Sequence, residues 1–296
     1  MAKVLITGTN SFIGTNFRKF SSFKDVDSIS LFKNKPEDIE FSRYDVVLHL
    51  AAIVHQSKKI PDEEYYYINR DLCLRVAENA KKSGIKHFVF ISTLKVYGES
   101  VSTNMVRNEK SECYPDDIYG KSKYEAELAL KNLEDGNYSV SIIRSSLVYG
   151  EGVKANMLRM IRLIEICPVL PFGNANNNRS FIYIENLVNL IDTIIQKRSS
   201  GIFIAIDEKA ISTKQLVVFI ARYLERNIHL IRLPPFLLNV WNKLSPGTFN
   251  RLFGSLEFDN SITISRLNFH YPYSTEEGIR RMVMSYKTSK KQVNIC

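Results

Sequence analysis

Apolar residues in the first half of the chain gather in short runs separated by longer stretches of mixed polarity. Runs at Lys3–Thr7, Ser28–Phe32, Asp45–Leu50, His87–Ser92 and Ser139–Ile143 predict strands, and the stretch His87-Phe88-Val89-Phe90-Ile91 is of the type buried on both faces. Between them, stretches near Ile13–Phe20, Glu64–Ser83 and Gly120–Leu133 predict helices. Strand and helix alternate from residue 3 to about residue 150, which argues for an α/β fold with a doubly wound parallel sheet. Ligands of such sheets lie at the carboxyl ends of the strands, so Thr7-Gly8, Thr93 and the turn before Tyr119 should converge there.

Length and composition allow a large core: 296 residues with 45% hydrophobic content fit one or two domains. No signal peptide is visible and no apolar run is long enough to cross a bilayer, so a soluble, cytoplasmic protein is expected. The formal charge of +9 is spread along the chain, with one dense basic segment around Lys287, Lys290 and Lys291. No nucleic-acid motif accompanies it, and the excess is of the kind that draws in a dianionic substrate. Cys73, Cys113, Cys167 and Cys296 have no paired spacing and no accompanying histidines; they read as reduced thiols, and no metal site is expected.

The candidate chemistry centres on Tyr119 and Lys123, which share one face of a helix at a spacing of four. A phenol ionises near about pH 10, and a lysine ammonium beside it is the simplest way to bring that down for proton transfer at a sugar or alcohol oxygen. Three further stretches support a functional reading. Val4-Leu5-Ile6-Thr7-Gly8-Thr9-Asn10-Ser11-Phe12-Ile13-Gly14 reads as strand, tight turn and helix; the strand His87–Thr93 ends in the hydroxyls of Ser92 and Thr93; and Ser139–Arg144 is followed by Val148-Tyr149-Gly150. His49 reads as strand packing and His55 as a loop residue, since no metal or nucleophile pattern surrounds either.

On these residues, together with His49-Leu50-Ala51-Ala52, Val96-Tyr97-Gly98 and Arg179-Ser180-Phe181-Ile182, the chain resembles the extended short-chain dehydrogenases/reductases, the nucleotide-sugar epimerase/dehydratase/reductase superfamily, over nearly its whole length. The resemblance implies a Rossmann domain over 1–150 plus 178–206. A smaller, discontinuous substrate domain would take 151–177 plus 207–296. It implies cofactor contacts from Gly8, Asn10, Ser11, Phe12, Ile13, Gly14, Lys33, Leu50, Ala51, Ala52, Asn69 and Ser92, besides Tyr119 and Lys123. The middle glycine of the family's phosphate turn is Ser11 here, whose Cβ would crowd the phosphate and disfavour a positive φ. No carboxylate follows the second strand to bind a ribose 2′-hydroxyl. Lys33 and Lys35 would suit a 2′-phosphate, which favours NADP(H), with NAD(H) the alternative if they are ordinary loop lysines. The stretch from Phe32 to Asp45 is too short for the family's usual extra strand.

Within the resemblance, Thr93, Tyr119 and Lys123 would be catalytic, and Thr93, Lys95, Ser145, Asn156, Arg179 and Arg251 would meet a nucleotide sugar. A guanidinium such as that of Arg179 suits a diphosphate. Leu94 and Lys95 stand where 4,6-dehydratases carry Asp-Glu, which argues against a dehydratase. Leu147 stands where 4-epimerases carry asparagine. The remaining segments resemble 4-keto reductases of bacterial polysaccharide clusters, such as O-antigen or capsule pathways, of the kind that make UDP-N-acetylquinovosamine. A 4-epimerase using the same residues twice is the alternative, and a non-catalytic nucleotide-binding homologue is a third reading. Homodimers through the helix after Tyr119 are common in the family. Trp241 and Leu233-Pro234-Pro235-Phe236-Leu237-Leu238 read as packing of the second domain, with a partner surface as the alternative.

Overall fold

The computed structural model describes residues 2–54, 60–98 and 106–293. In chain order, β1 (Val4–Thr7) leads through the glycine turn into α1 (Phe12–Phe20), then β2 (Val26–Ile29), two short 3₁₀ turns and β3 (Val46–His49). A helical stretch of α2 (Asp62–Tyr66), a π turn (Tyr67–Leu72) and α3 (Cys73–Lys82) leads to β4 (His87–Thr93), followed by α4 (Ile118–Lys131) and β5 (Ser139–Ser145). Beyond these come β6 (Leu147–Tyr149), α5 (Ala155–Ile166), β7 (Val169–Leu170), β8 (Phe181–Tyr183), α6 (Ile184–Lys197) and β9 (Gly201–Ala205). The last part holds α7 (Thr213–Leu224), β10 (His229–Leu230), α8 (Pro235–Leu244), α9 (Pro246–Phe253), α10 (Ser261–Leu267) and α11 (Thr275–Val293).

Six parallel strands in the order β2-β1-β3-β4-β5-β9 form the central sheet. The order reverses beside β1, with β2 on one side and β3 on the other, which makes the crevice at its carboxyl end the natural ligand position. The expected doubly wound sheet is therefore present. No strand lies beyond β2 among the described residues, in keeping with the short Phe32–Asp45 segment, which instead forms the 3₁₀ turns Pro36–Asp38 and Phe41–Arg43.

Two elements depart from the sequence expectation. The second strand runs over Val26–Ile29, not Ser28–Phe32. It stops because the Ser30 carbonyl accepts from the Lys33 and Asn34 backbone N–H groups and from the Asn34 side-chain amide, closing a turn that leaves Phe32 93% exposed. The expected single helix over Glu64–Ser83 is interrupted by a full π turn at its middle.

The main apolar core joins both halves of the chain. Val4, Ile6 and Phe17 share one cluster with Met157, Ile161, Leu170, Leu216, Ile279 and Val283, on the side of the sheet where α1 and α6 lie. A second cluster, including Leu5, Val47, Phe88, Phe90, Val76 and Ala126, fills the other face beneath α3 and α4.

Candidate active site

The turn after β1 is held tight against the loop after β3. Gly8 has φ of 100°, and a Cβ there would lie 2.9 Å from the Ala51 backbone nitrogen, so no other residue fits without moving that loop. The Leu50 N–H donates to the Thr7 carbonyl at 3.0 Å, and the Gly8 N–H to the Ile29 carbonyl at 2.9 Å, which ties the ends of three strands together. Leu50, Ala51, Ala52, Phe12 and Ile13 are all partly exposed around this point.

Ser11 does not carry the backbone strain its position suggested. Its φ is −66°, and the positive φ of the turn falls on Gly8 and on Asn10, at 64°. Ser11 is the N-cap of α1, and its Oγ accepts from the Gly14 N–H at 3.0 Å. The N–H groups of Phe12 and Ile13, in the first turn of α1, have no carbonyl within the helix and point outward from a positive helix end. A pyrophosphate fits this cradle, and the close Gly8–Ala51 approach provides the flat backbone floor that a dinucleotide requires.

At the carboxyl end of β4, Thr93 caps a short 3₁₀ turn, Leu94–Tyr97, by accepting the Lys95 N–H at 3.2 Å, and its hydroxyl also hydrogen-bonds the Tyr119 phenol. Tyr119 stands in the first turn of α4, whose N-cap is Asp117. Asp117 uses both oxygens: Oδ1 accepts the Gly120 N–H at 2.6 Å, and Oδ2 accepts from Lys95 Nζ at 2.5 Å. Gly120 lets this turn approach closely, since a Cβ there would meet the Lys95 carbonyl at 2.9 Å. Lys95, Asp117, Thr93 and Tyr119 thus form one local unit. Burial pushes the Tyr119 phenol up to about 12, the Asp117 charge adds to the rise, and the Thr93 hydrogen bond opposes it.

Lys123 is buried behind this turn. Its side chain is 2% exposed, and its ammonium lies 3.7 Å from the centre of the Phe90 ring, beneath the sheet end. Burial pulls it down to about 8, against the opposing influence of Cys73 and Glu127. Lys123 lies one turn beyond Tyr119 on the same helix, where α4 packs on β4 and covers its side chain.

Further residues are engaged by the protein itself. Ser92, expected against a cofactor, is buried and donates to Glu127 Oε1 at 2.5 Å; Glu127 in turn holds Arg144 through a 2.6 Å ion pair, with both side chains almost wholly buried. The Arg144 guanidinium lies 4.6 Å from the Tyr97 ring, and the Glu127 carboxylate more than offsets the effect of burial, keeping that guanidinium charged. Asn69, in the π turn, is fully buried: its Oδ1 accepts the Ile53 N–H at 2.8 Å, and its amide donates to the Ile53 carbonyl and to Ser122 Oγ, both at 3.0 Å. It therefore latches the loop after β3 to α4, and its place in a π turn is what turns it inward.

Of the histidines, His49 is a packing residue as expected, 1% exposed, with Nδ1 2.8 Å from Thr7 Oγ1; burial and the Lys123 charge pull it down to about 3. His55 lies outside the described residues, as does Cys296, while Cys73, Cys113 and Cys167 are free. No group of metal ligands occurs among the described residues.

The remaining expected contacts are spread more widely. Lys33 and Lys35 are exposed in the turn beyond β2, where Ser30, not a carboxylate, is the first residue after the strand. Ser145 is buried and donates to the Ser146 carbonyl at 3.0 Å, and Asn156 is exposed in the first turn of α5. Arg179 Nη1 donates to the carbonyls of Asn250 and Gly254 at the end of α9, at 3.1 and 2.9 Å, so Arg179 and Arg251 come to the same helix. Sequence reasoning passed over Asp117 and Glu127. Asp117, three residues before Gly120, has N-cap spacing, and Glu127 follows Lys123 by four on the same face, so the helical period could have marked both.

A parallel sheet with a glycine turn at its switch point, facing a hydrogen-bonded threonine–tyrosine pair, defines a dinucleotide-binding α/β enzyme. The chain belongs to the NAD dependent epimerase/dehydratase family, whose model matches residues 4–205. It is 32% identical to a UDP-glucose 4-epimerase of Vibrio cholerae, over 96% of this chain and 95% of that protein. In fold it is similar to a dTDP-4-dehydrorhamnose reductase from Bacillus anthracis solved with NADP, at a TM-score of 0.76 and 22% identity over 96% of this chain and 99% of that one. It is likewise similar to a UDP-glucuronic acid 4-epimerase from Bacillus cereus solved with NAD, at a TM-score of 0.75 and 17% identity over 97% and 99%. The chain is thus an enzyme of the nucleotide-sugar epimerase and reductase type with a nicotinamide cofactor.

Proposed function

We propose that this enzyme reduces C4 of a UDP- or dTDP-linked 4-keto-6-deoxyhexose, in the assembly of a surface polysaccharide. The reading is supported by the residues that depart from an epimerase: no carboxylate follows β2, where Lys33 and Lys35 are exposed, and Leu147 stands where 4-epimerases carry asparagine. Tyr119, protonated at rest, is the proton donor. When bound, the nicotinamide supplies the hydride. Tyr119 gives its proton to the C4 oxygen, the Thr93 hydroxyl holds the same oxygen, and the Lys95–Asp117 pair keeps the turn that carries Tyr119 in place. Lys123 would hold the nicotinamide ribose.

The exposed Lys33 and Lys35, with no carboxylate after β2, support NADP(H) over NAD(H). Arg179 and Arg251 would meet the diphosphate, with Lys95, Ser145 and Asn156 toward the sugar, in a substrate-binding part formed by 151–177 and 207–296. Leu94 is buried and Lys95 is paired with Asp117, so neither position supplies the acid and base of a 4,6-dehydratase. A homodimer through α4 fits the family habit.

The 4-epimerase reading has its own support in the full-length similarity to the Vibrio cholerae enzyme. Purified protein given NADPH or NADH with a UDP-4-keto-6-deoxy sugar should consume the reduced cofactor stoichiometrically, NADPH faster, as followed at the nicotinamide band. Interconversion of UDP-GlcNAc and UDP-GalNAc without net cofactor use would instead establish the epimerase.

A further inference from the structure

The helices α8 and α9 stand out from the rest of the molecule: neither contains a single buried residue. They are held together on their inner side by aromatic contacts, with Trp241 of α8 5.5 Å from Phe253 and 6.4 Å from Phe249 of α9 between ring centres. Their outer side is apolar as well. Phe236 is 64% exposed, Val240 48%, Leu244 81% and Leu237 41%. At about 100° per residue, these four fall within an arc of roughly 100° on α8, so they form one continuous stripe. Ile231, 46% exposed, precedes the same helix.

Charge identifies what this stripe fits. From Arg226 to Leu256 the sequence has no aspartate or glutamate, while Arg226, Arg232, Lys243 and Arg251 are all exposed. An apolar stripe in a segment whose own charged residues are all cations is the pattern of a helix lying in the headgroup layer of an anionic bilayer. A protein partner or a second copy of the chain would more commonly be met by a rim of mixed sign. No helix among the described residues is long and apolar enough to span a membrane, so the contact would lie on the surface.

We propose that the α8–α9 hairpin docks this enzyme on an anionic lipid surface, with Phe236, Leu237, Val240 and Leu244 entering the headgroup layer and Arg232 and Lys243 pairing with lipid phosphates. The hairpin is anchored to the body by Arg179, which binds the carbonyls at the end of α9, so docking would bring that part of the molecule to the membrane. The inference does not depend on the direction of the sugar chemistry.

Trp241 is the only tryptophan in the chain and lies in this hairpin, so its emission reports on docking directly. The protein is mixed with vesicles of phosphatidylglycerol and phosphatidylcholine, or of phosphatidylcholine alone, then sedimented, with the Trp241 spectrum recorded in parallel. Binding to the anionic vesicles, a blue shift of Trp241, and a loss of roughly tenfold or more in binding for Phe236→Ser/Leu244→Ser and for Arg232→Glu/Lys243→Glu are expected. Both double variants change exposed side chains only, and an unaltered melting temperature verifies their fold. Absence of wild-type binding, equal binding to both vesicle types, or binding that survives both double variants overturns the proposal. So does a concentration-dependent dimer that Phe236→Ser/Leu244→Ser abolishes, which would assign the stripe to self-association.

Discussion

At Tyr119, burial first and the Asp117 charge second raise the phenol, so the proposed proton donor is protonated at rest. Asp117 caps α4 through one oxygen, and the Thr93 hydroxyl hydrogen-bonds the phenol. Tyr119→Phe should lower turnover by roughly 10²-fold or more with cofactor affinity little changed, as steady-state rates and calorimetry would show. Lys123 is different, because its ammonium is stored in the core over Phe90. Its value is lowered from the ordinary 10.5 to about 8, so between these two pH values the unfolded chain holds a proton that the native state has lost. Stability should therefore rise as pH increases from about 8 to 10.5, with the full cost of the buried charge present below that window. Lys123→Met should stabilise the cofactor-free protein at pH 7 by on the order of 3 kcal/mol and flatten that rise in urea titrations, while abolishing most activity.

Among the elements, α1 carries the trade-off at the phosphate turn. Ser11 occupies the Gly14 N–H as N-cap, so one donor of the helix end is already taken when a pyrophosphate arrives. Ser11→Gly should cost only a few tenths of a kcal/mol of stability and tighten cofactor binding, since it removes a side chain and frees that N–H at once. Isothermal calorimetry decides it; weaker binding in the variant would mean that the hydroxyl itself contacts the phosphate. The helical stretch from Asp62 to Lys82 makes a related point. Its π turn could not be read from hydrophobic period, yet it is what directs Asn69 at Ile53 and so fixes the loop that faces Gly8.

In the whole molecule, Asp207 joins the sheet to the segments that follow it. It accepts from the Tyr149 hydroxyl at 2.7 Å, the Tyr183 N–H at 3.0 Å and the Asn186 amide at 2.8 Å, and Tyr149 also donates to the Thr275 carbonyl at the start of α11. Asp207→Ala leaves those buried donors unpaired and should cost about 3 kcal/mol or more. Because the main cluster runs from Val4 to Val283, the variant should still melt in one transition at lower temperature, with far-ultraviolet dichroism and Trp241 fluorescence coinciding. Separate transitions would show that the segment after residue 206 folds on its own.

The linear sequence determined the alternation of strand and helix, the parallel sheet and the glycine turn, because period and turn chemistry are local properties, and its motif spacing singled out Thr93, Tyr119 and Lys123 as candidates. It also determined that no carboxylate follows the second strand. The three-dimensional structure was needed to see where that strand ends, because the stop is a local turn in which the Ser30 carbonyl accepts from Lys33 and Asn34 and which the apolar pattern does not mark. Tertiary packing likewise decided which neighbours the charges keep: Lys123 meets Phe90, Asp117 meets Lys95, and Glu127 meets Arg144 from the adjoining strand. The same holds for the outer face of α8: the sequence left packing or a partner surface open for it, and the fold leaves it in solvent, since burial depends on what the rest of the chain leaves uncovered.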